Sequence, residues 1–152
     1  MTYTFNKAAR INADPQAAGE MCAELERTGG LTAKRLVDAN RAKDAPLHNC
    51  FEWDNKKAAE LYREDQARYI IRSIQVVREE DPEPIRGFFS IEYKEPEYKS
   101  LDVILSTEED TEKLFRRCLG ELMAVRKKYE AVKKAALVFE AIDQLAIEEG
   151  GE

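Results

Sequence analysis

Residues 69–93 run Tyr69-Ile70-Ile71-Arg72-Ser73-Ile74-Gln75-Val76-Val77-Arg78-Glu79-Glu80-Asp81-Pro82-Glu83-Pro84-Ile85-Arg86-Gly87-Phe88-Phe89-Ser90-Ile91-Glu92-Tyr93. Upstream, Ala58, Leu61, Tyr62, Tyr69 and Ile70 fall roughly on one helical face. From Ile70 the residues turn β-branched, and branched side chains fit a pleated strand better than a helix. The helix is therefore expected to give way to a strand near Ser73. Asp81-Pro82-Glu83-Pro84 reads as a turn. Arg86 to Tyr93 reads as a second strand with Phe89, Ile91 and Tyr93 on one face. Helix running into antiparallel strands is the grammar of an α+β fold.

Outward toward the N-terminus, Asp14-Pro15 starts a first helix, with Asp as cap and Pro at the first helical position. Gly29-Gly30 stops it. Thr32 caps a short second helix from about 33 to 42, and Leu31 and Leu36 have the spacing of a hydrophobic staple. Residues 43–53 form a loop whose Leu47, Phe51 and Trp53 are too apolar to hang in water. Asp54 is expected to cap the third helix, with Trp53 and Ala58 as a second staple, so Trp53 reads as a structural anchor.

Toward the C-terminus, 94–97 is a loop containing Pro96, and Tyr98 to Leu105 is a third strand whose second half could already be helical. Ser106-Thr107-Glu108-Glu109 matches a capping box. After it Leu114, Cys118, Leu122, Val125, Tyr129, Val132, Ala136 and Phe139 recur at steps of three and four, a heptad-like stripe on an amphipathic helix. A helix from 108 to 147 would be about 60 Å long, against about 30–35 Å for a compact chain of this size. It must break, at Gly120 or near Val132, or find a partner. Leu114, Cys118, Leu122, Val125, Tyr129, Val132 and Phe139 are the expected interface of a coiled-coil-like homo-oligomer, a dimer first. The organisation expected is residues 1–106 as a helical domain with a β-hairpin, and 107–152 as a long C-terminal amphipathic helix of the same structural unit. Three helices followed by a small antiparallel hairpin is winged-helix-like order. The long loop between helices two and three and a wing that is not basic count against it.

The chain has 152 residues, with 24 basic and 30 acidic side chains and a net charge of −6. The acidic excess lies in 81–110. Lys113 to Lys134 is basic, and from Ala135 onward there are five acids and no base. No apolar run reaches a membrane-spanning length of about 18 residues. The N-terminus carries no signal-like apolar core, and three scattered cysteines argue for reduced thiols, so a cytoplasmic location is expected. His48-Asn49-Cys50 invites a zinc or thiol-nucleophile reading, but no second ligand pair, placed base or oxyanion hole accompanies it. No Gly-rich phosphate loop occurs. No metal, no cofactor and no catalytic residues are expected, and the protein reads as a non-enzyme.

Lys56, Lys57, Arg63 and Arg68 on the third helix, and Arg126, Lys127 and Lys128 on the long helix, are residue types that contact phosphate. Glu60, Glu64 and Asp65 alternate with the first group, which also suits a solvated helix laced with i,i+3 and i,i+4 pairs. Nucleic-acid binding through a winged-helix-like module is the leading expectation, with DNA as a candidate partner and RNA left open. The alternative is a protein-binding module: an acidic phosphate mimic using Glu95 and Glu97, or an assembly component.

The run Pro46-Leu47-His48-Asn49-Cys50-Phe51-Glu52-Trp53-Asp54, continuing through Ala58-Ala59, Tyr62-Arg63 and Gln66-Ala67-Arg68 to Ile71-Arg72, resembles a signature of small proteins encoded by tailed bacteriophages and prophages. Leu31-Thr32 to Ala39, Leu119-Gly120-Glu121-Leu122 to Tyr129, and Val138-Phe139-Glu140-Ala141-Ile142 fit the same resemblance, so it covers roughly 31–142. It implies a viral protein in the host cytoplasm; a host or phage protein is the further partner expected under the protein-binding alternative. It supplies no site residues.

Overall fold

The computed structural model describes residues 1–53, 57–92 and 97–150, with the side chains of 57 and 58 outside it. The chain forms two compact units, Met1–Ser106 and Thr107–Glu152. It is α+β, with six α-helices and two small three-stranded sheets among the described residues.

The change of element near Ser73 is where the residue types put it. The helix α3 spans Lys57–Ser73 and the strand β3 Ile74–Val77. The Ser73 hydroxyl donates to the Tyr69 carbonyl (2.8 Å), and Ile74 begins an extended run in which alternate residues are buried. β3 is the middle strand of the first sheet. On one side it pairs antiparallel with β1 (Thr2–Phe5), from Thr2 opposite Val77 to Phe5 opposite Ile74. On the other it pairs with β4 (Ile85–Arg86). β1 was not expected: four residues give too short an alternation to stand out, and pairing with β3 makes them a strand.

The strand expected from Arg86 to Tyr93 is divided at Gly87. Its N–H donates back to Ile74 of the first sheet (3.1 Å), and its carbonyl accepts from Leu101 N–H (3.0 Å). Beyond it β5 (Phe88–Ser90) belongs to the second sheet, whose order is β2 (Leu31–Thr32), β6 (Glu97–Ser100), β5. Tyr98, opposite both Ser90 and Leu31, is buried in the centre of this sheet. The chain turns helical at Leu101, forming α4 (Leu101–Leu105).

Helix α1 (Pro15–Arg27) is capped as expected, with the Asp14 carboxylate accepting from Gln16 N–H (3.4 Å) and Ala17 N–H (3.0 Å). The ring of Tyr3 lies over it at Gly19, where an added Cβ would fall 2.1 Å from Tyr3 Cγ. Gly29 (φ +143°) and Gly30 (φ +92°) end the helix in backbone conformations that favour glycine. The Arg35 guanidinium then donates to the Leu25 carbonyl (2.7 Å) and to the Gly30 carbonyl. Thr32 caps α2 (Ala33–Ala39) through Arg35 N–H (3.1 Å). The core joins Ala18, Cys22, Leu31, Leu36, Val37, Leu47, Ala67, Ile70, Ile71, Ile74 and Phe88.

The expectation of three helices, one hairpin and one long helix needs correction. A strand precedes α1, β3 and β4 add a second sheet, and α4 follows β6. The expected Asp54 cap and the wing residues 93–96, Glu95 included, lie outside the described residues.

The long helix is also two helices. α5 spans Glu108–Lys128, capped by Thr107 through Asp110 N–H (3.3 Å), and α6 spans Ala136–Gly150. Between them Tyr129 closes α5, and a single 3-10 turn, Lys133–Ala135, leads into α6. Arg126 donates twice to the Asp143 carboxylate (2.8 and 3.1 Å) and its guanidinium lies 5.6 Å from the Phe139 ring centroid. In an unbroken helix Arg126 and Asp143 would stand about 25 Å apart. The bend buries Phe139 and Ile142, each worth about 1.5–3 kcal/mol. Gly120, the other expected break point, sits inside α5.

Candidate functional site

The loop from Asn40 to Trp53, the centre of the quoted signature, is held from inside. Asn40 is fully buried. Its amide oxygen accepts from Leu47 N–H (2.9 Å) and its amide nitrogen donates to the Leu36 carbonyl (2.8 Å). His48 Nδ1 lies 2.9 Å from the Asn40 carbonyl, and because a carbonyl only accepts, the proton sits on Nδ1. The His48 ring stacks on Trp53 at 4.9 Å between centroids, and Trp53 Nε1 donates to the His48 carbonyl (2.8 Å). Trp53 is partly buried against the core. His48 is thus committed to a local clasp.

Arg63 closes that clasp and is 3% exposed. Its guanidinium lies 5.1 Å from the Trp53 ring centroid, donates to the Glu52 carbonyl and pairs with Glu60 (2.6 Å). Glu60 also pairs with Arg41 (2.6 Å), which pairs with Asp38 (2.9 Å). The Arg63 hydrogen bond, with help from Arg41, holds the Glu60 carboxyl below the usual range. The expectation of Arg63 as a phosphate contact is corrected: the residue is internal. Its position carried a signal, since it stands four residues before Ala67 and seven before Ile70, on the buried face of α3.

The other candidate bases differ in their surroundings. Arg68 pairs with Glu64 (3.1 Å) and Asp65 (2.7 Å). Arg126 is taken by Asp143 and, at 3.9 Å, by Glu130. Lys127 and Lys128 are exposed at the end of α5, Lys128 lying 5.2 Å from the Tyr129 ring centroid. Lys56 and the side chain of Lys57 lie outside the described residues. Glu97 is exposed, and its carboxylate stands beside Gly30.

A cleft of about 450 Å³ opens beside the clasp, lined by Arg10, Asn12, Cys50, Gln66 and Tyr69 among others. Two of its polar groups are engaged: Tyr69 Oη accepts from Arg10 N–H (3.0 Å), and Gln66 Oε1 from Glu52 N–H (3.0 Å). Burial pushes the Cys50 thiol up, the opposite of what a thiolate nucleophile requires. Among the described residues no group of three His, Cys, Asp or Glu could hold a metal ion.

The surface that stands out is apolar, and it lies on Thr107–Glu152. Met123, Val125, Tyr129, Val132, Leu137, Val138, Leu145 and Ile147 are all exposed. Of the expected seam, Leu114 and Leu122 are half-buried, Cys118 and Val125 exposed, Tyr129 and Val132 lie in the connection between the helices, and Phe139 is buried. One straight stripe is therefore ruled out by the break. Comparisons with protein-family models, curated proteins and solved structures return no match.

Proposed function

We propose that the protein is a non-enzymatic protein-assembly module that associates through the exposed apolar side chains of α5 and α6. The observation that carries this reading is the concentration of large exposed apolar side chains on that short unit. Contiguous exposed apolar surface is costly in water and marks interaction sites. Met1–Ser106 supports the reading as a folded α+β carrier with its own core and two small antiparallel sheets. The outer face of α3 carries the exposed Leu61 and Tyr62, and Arg68 there is paired with Glu64 and Asp65. Under the resemblance to tailed-phage proteins, the assembly would be viral and located in the host cytoplasm.

A second reading, nucleic-acid contact, has one observation in its favour. Lys127, Lys128, Lys133 and Lys134 cluster around the α5–α6 connection, and among the described residues none makes an ion pair. Binding to DNA and RNA at two salt concentrations, with mass measured on the same sample, separates the two. The assembly reading expects association without nucleic-acid affinity, and association lost when Val125, Leu137 and Val138 are together replaced by Asp. Affinity that falls steeply with salt and vanishes when the four lysines become Gln would transfer the function to the second reading.

A further inference from the structure

α6 has two apolar faces, and only one of them is used within the chain. Phe139 and Ile142 are buried, with Ala135 and Ala146 half-buried beside them. On the opposite side Leu137 (82% exposed), Ala141 and Leu145 form a stripe at i, i+4 and i+8, with Val138 (60% exposed) beside it. Charge closes it at both ends. Lys134, in the 3-10 turn that leads into α6, precedes the stripe, and Glu148 follows it. Neither charge is neutralised: Lys134 makes no ion pair among the described residues, and no base follows Ala135 to pair with Glu148.

The stripe is palindromic about Ala141. Leu137 and Leu145 stand four residues before and after it, and Lys134 and Glu148 seven before and after. We infer that α6 pairs with α6 of a second copy of this chain, antiparallel, across a two-fold axis at Ala141. In that arrangement Leu137 meets the partner's Leu145 and Lys134 meets the partner's Glu148, each contact made twice, as an isologous interface requires. A parallel alignment would set Lys134 against Lys134 and Glu148 against Glu148, so the charges select the antiparallel register. Alanine at the crossing point lets the two helices approach closely, since interaxial distance follows the side chains at the contact. This inference rests on the reading of the α5–α6 surface as a protein-binding one, and names its occupant and register.

The test is sedimentation equilibrium of the full chain from low to high micromolar concentration, with circular dichroism to confirm that each variant is folded. The wild type is expected at twice the monomer mass. Lys134→Glu and Glu148→Lys, each replacing two attractions by two repulsions, should weaken the dimer about tenfold, and combining them should restore it. Leu137→Asp should give a folded monomer, while Val125→Asp on α5 leaves the dimer intact. A wild type that stays monomeric, or single swaps that the double swap does not rescue, would overturn the inference. A dimer lost with Val125→Asp but indifferent to Leu137→Asp would overturn it too, while leaving the assembly reading in place.

Discussion

Gly19 and Gly120 both sit inside helices, and Gly→Ala at the two is expected to act in opposite directions. Alanine gains about 0.8–1 kcal/mol over glycine in a helix interior. At Gly120 nothing lies within 4 Å of the added methyl, so Gly120→Ala should stabilise the protein by about that amount. At Gly19 the methyl would penetrate the Tyr3 ring, at 2.1 Å from Cγ and 2.4 Å from both Cδ atoms. Overpacking costs about 1–3 kcal/mol, and a ring held between α1 and β1 has little room to give, so the steric cost should exceed the helical gain. Urea melts of the two variants should move their midpoints in opposite directions; a Gly19→Ala protein as stable as wild type would mean that Tyr3 can leave its place. The same scale holds the hardest lesson about the candidate site. Arg63 and Arg68 are one residue type on one helix, yet one is sealed under Trp53 and the other sits in surface pairs. Charge counting treats them alike, and only the phase against Ala67 and Ile70 separates them. Arg63→Ala should cost about 2–3 kcal/mol through lost charged hydrogen bonds, read as a lower urea midpoint.

The elements that could be read from sequence are those whose signals are local. Asp14 and Thr32 cap where expected because capping needs one side chain and the next three backbone N–H groups. Helix α5 is capped by Thr107, one residue after the Ser106 that opens the expected box and that closes α4 instead. Gly29-Gly30 stops α1 for a similarly local reason. β1 and β2 were hidden because two to four residues carry no periodicity, and their partners lie far along the chain. The α5–α6 break had no Gly or Pro to announce it; it is made by what α6 buries on bending. If burial is the cause, then Phe139→Ala should cost about 3 kcal/mol and loosen α6 specifically. Amide exchange in 136–150 should accelerate while β3 and β5 stay protected. Asp143→Ala, which removes only a partly exposed pair, should cost about 0.5–1 kcal/mol. Equal effects of the two would shift the cause of the bend from burial to the ion pair.

At the scale of the molecule, charge carries structure in one place and sits unused in others. Lys34, Asp38, Arg41, Glu60 and Arg63 form a chain of ion pairs from α2 to α3, spanning the long link that carries the clasp. Two carboxylates in it are held below their usual range. For Glu60 the Arg63 hydrogen bond is the main cause, with Arg41 adding to it. For Asp38 burial works upward, and the hydrogen bonds from Lys34 and Arg41 outweigh it. A carboxylate whose folded pKa is depressed binds fewer protons than its unfolded counterpart, so it contributes stability above the unfolded value of about 4. That contribution is lost as pH falls through the lower, folded value. The expected profile is therefore insensitive to these groups from neutral pH down to about 5, followed by a progressive loss in more acid solution. Glu60→Gln tests the assignment. The amide cannot pair with Arg63 as an ion, so the variant should be less stable at neutral pH. Its acid limb should be shallower, and the two curves should converge at the acid end, where wild-type Glu60 is protonated as well. Parallel curves at all pH values would show that Glu60 does not titrate with folding, and that the ion-pair chain adds geometry to the clasp without adding pH dependence.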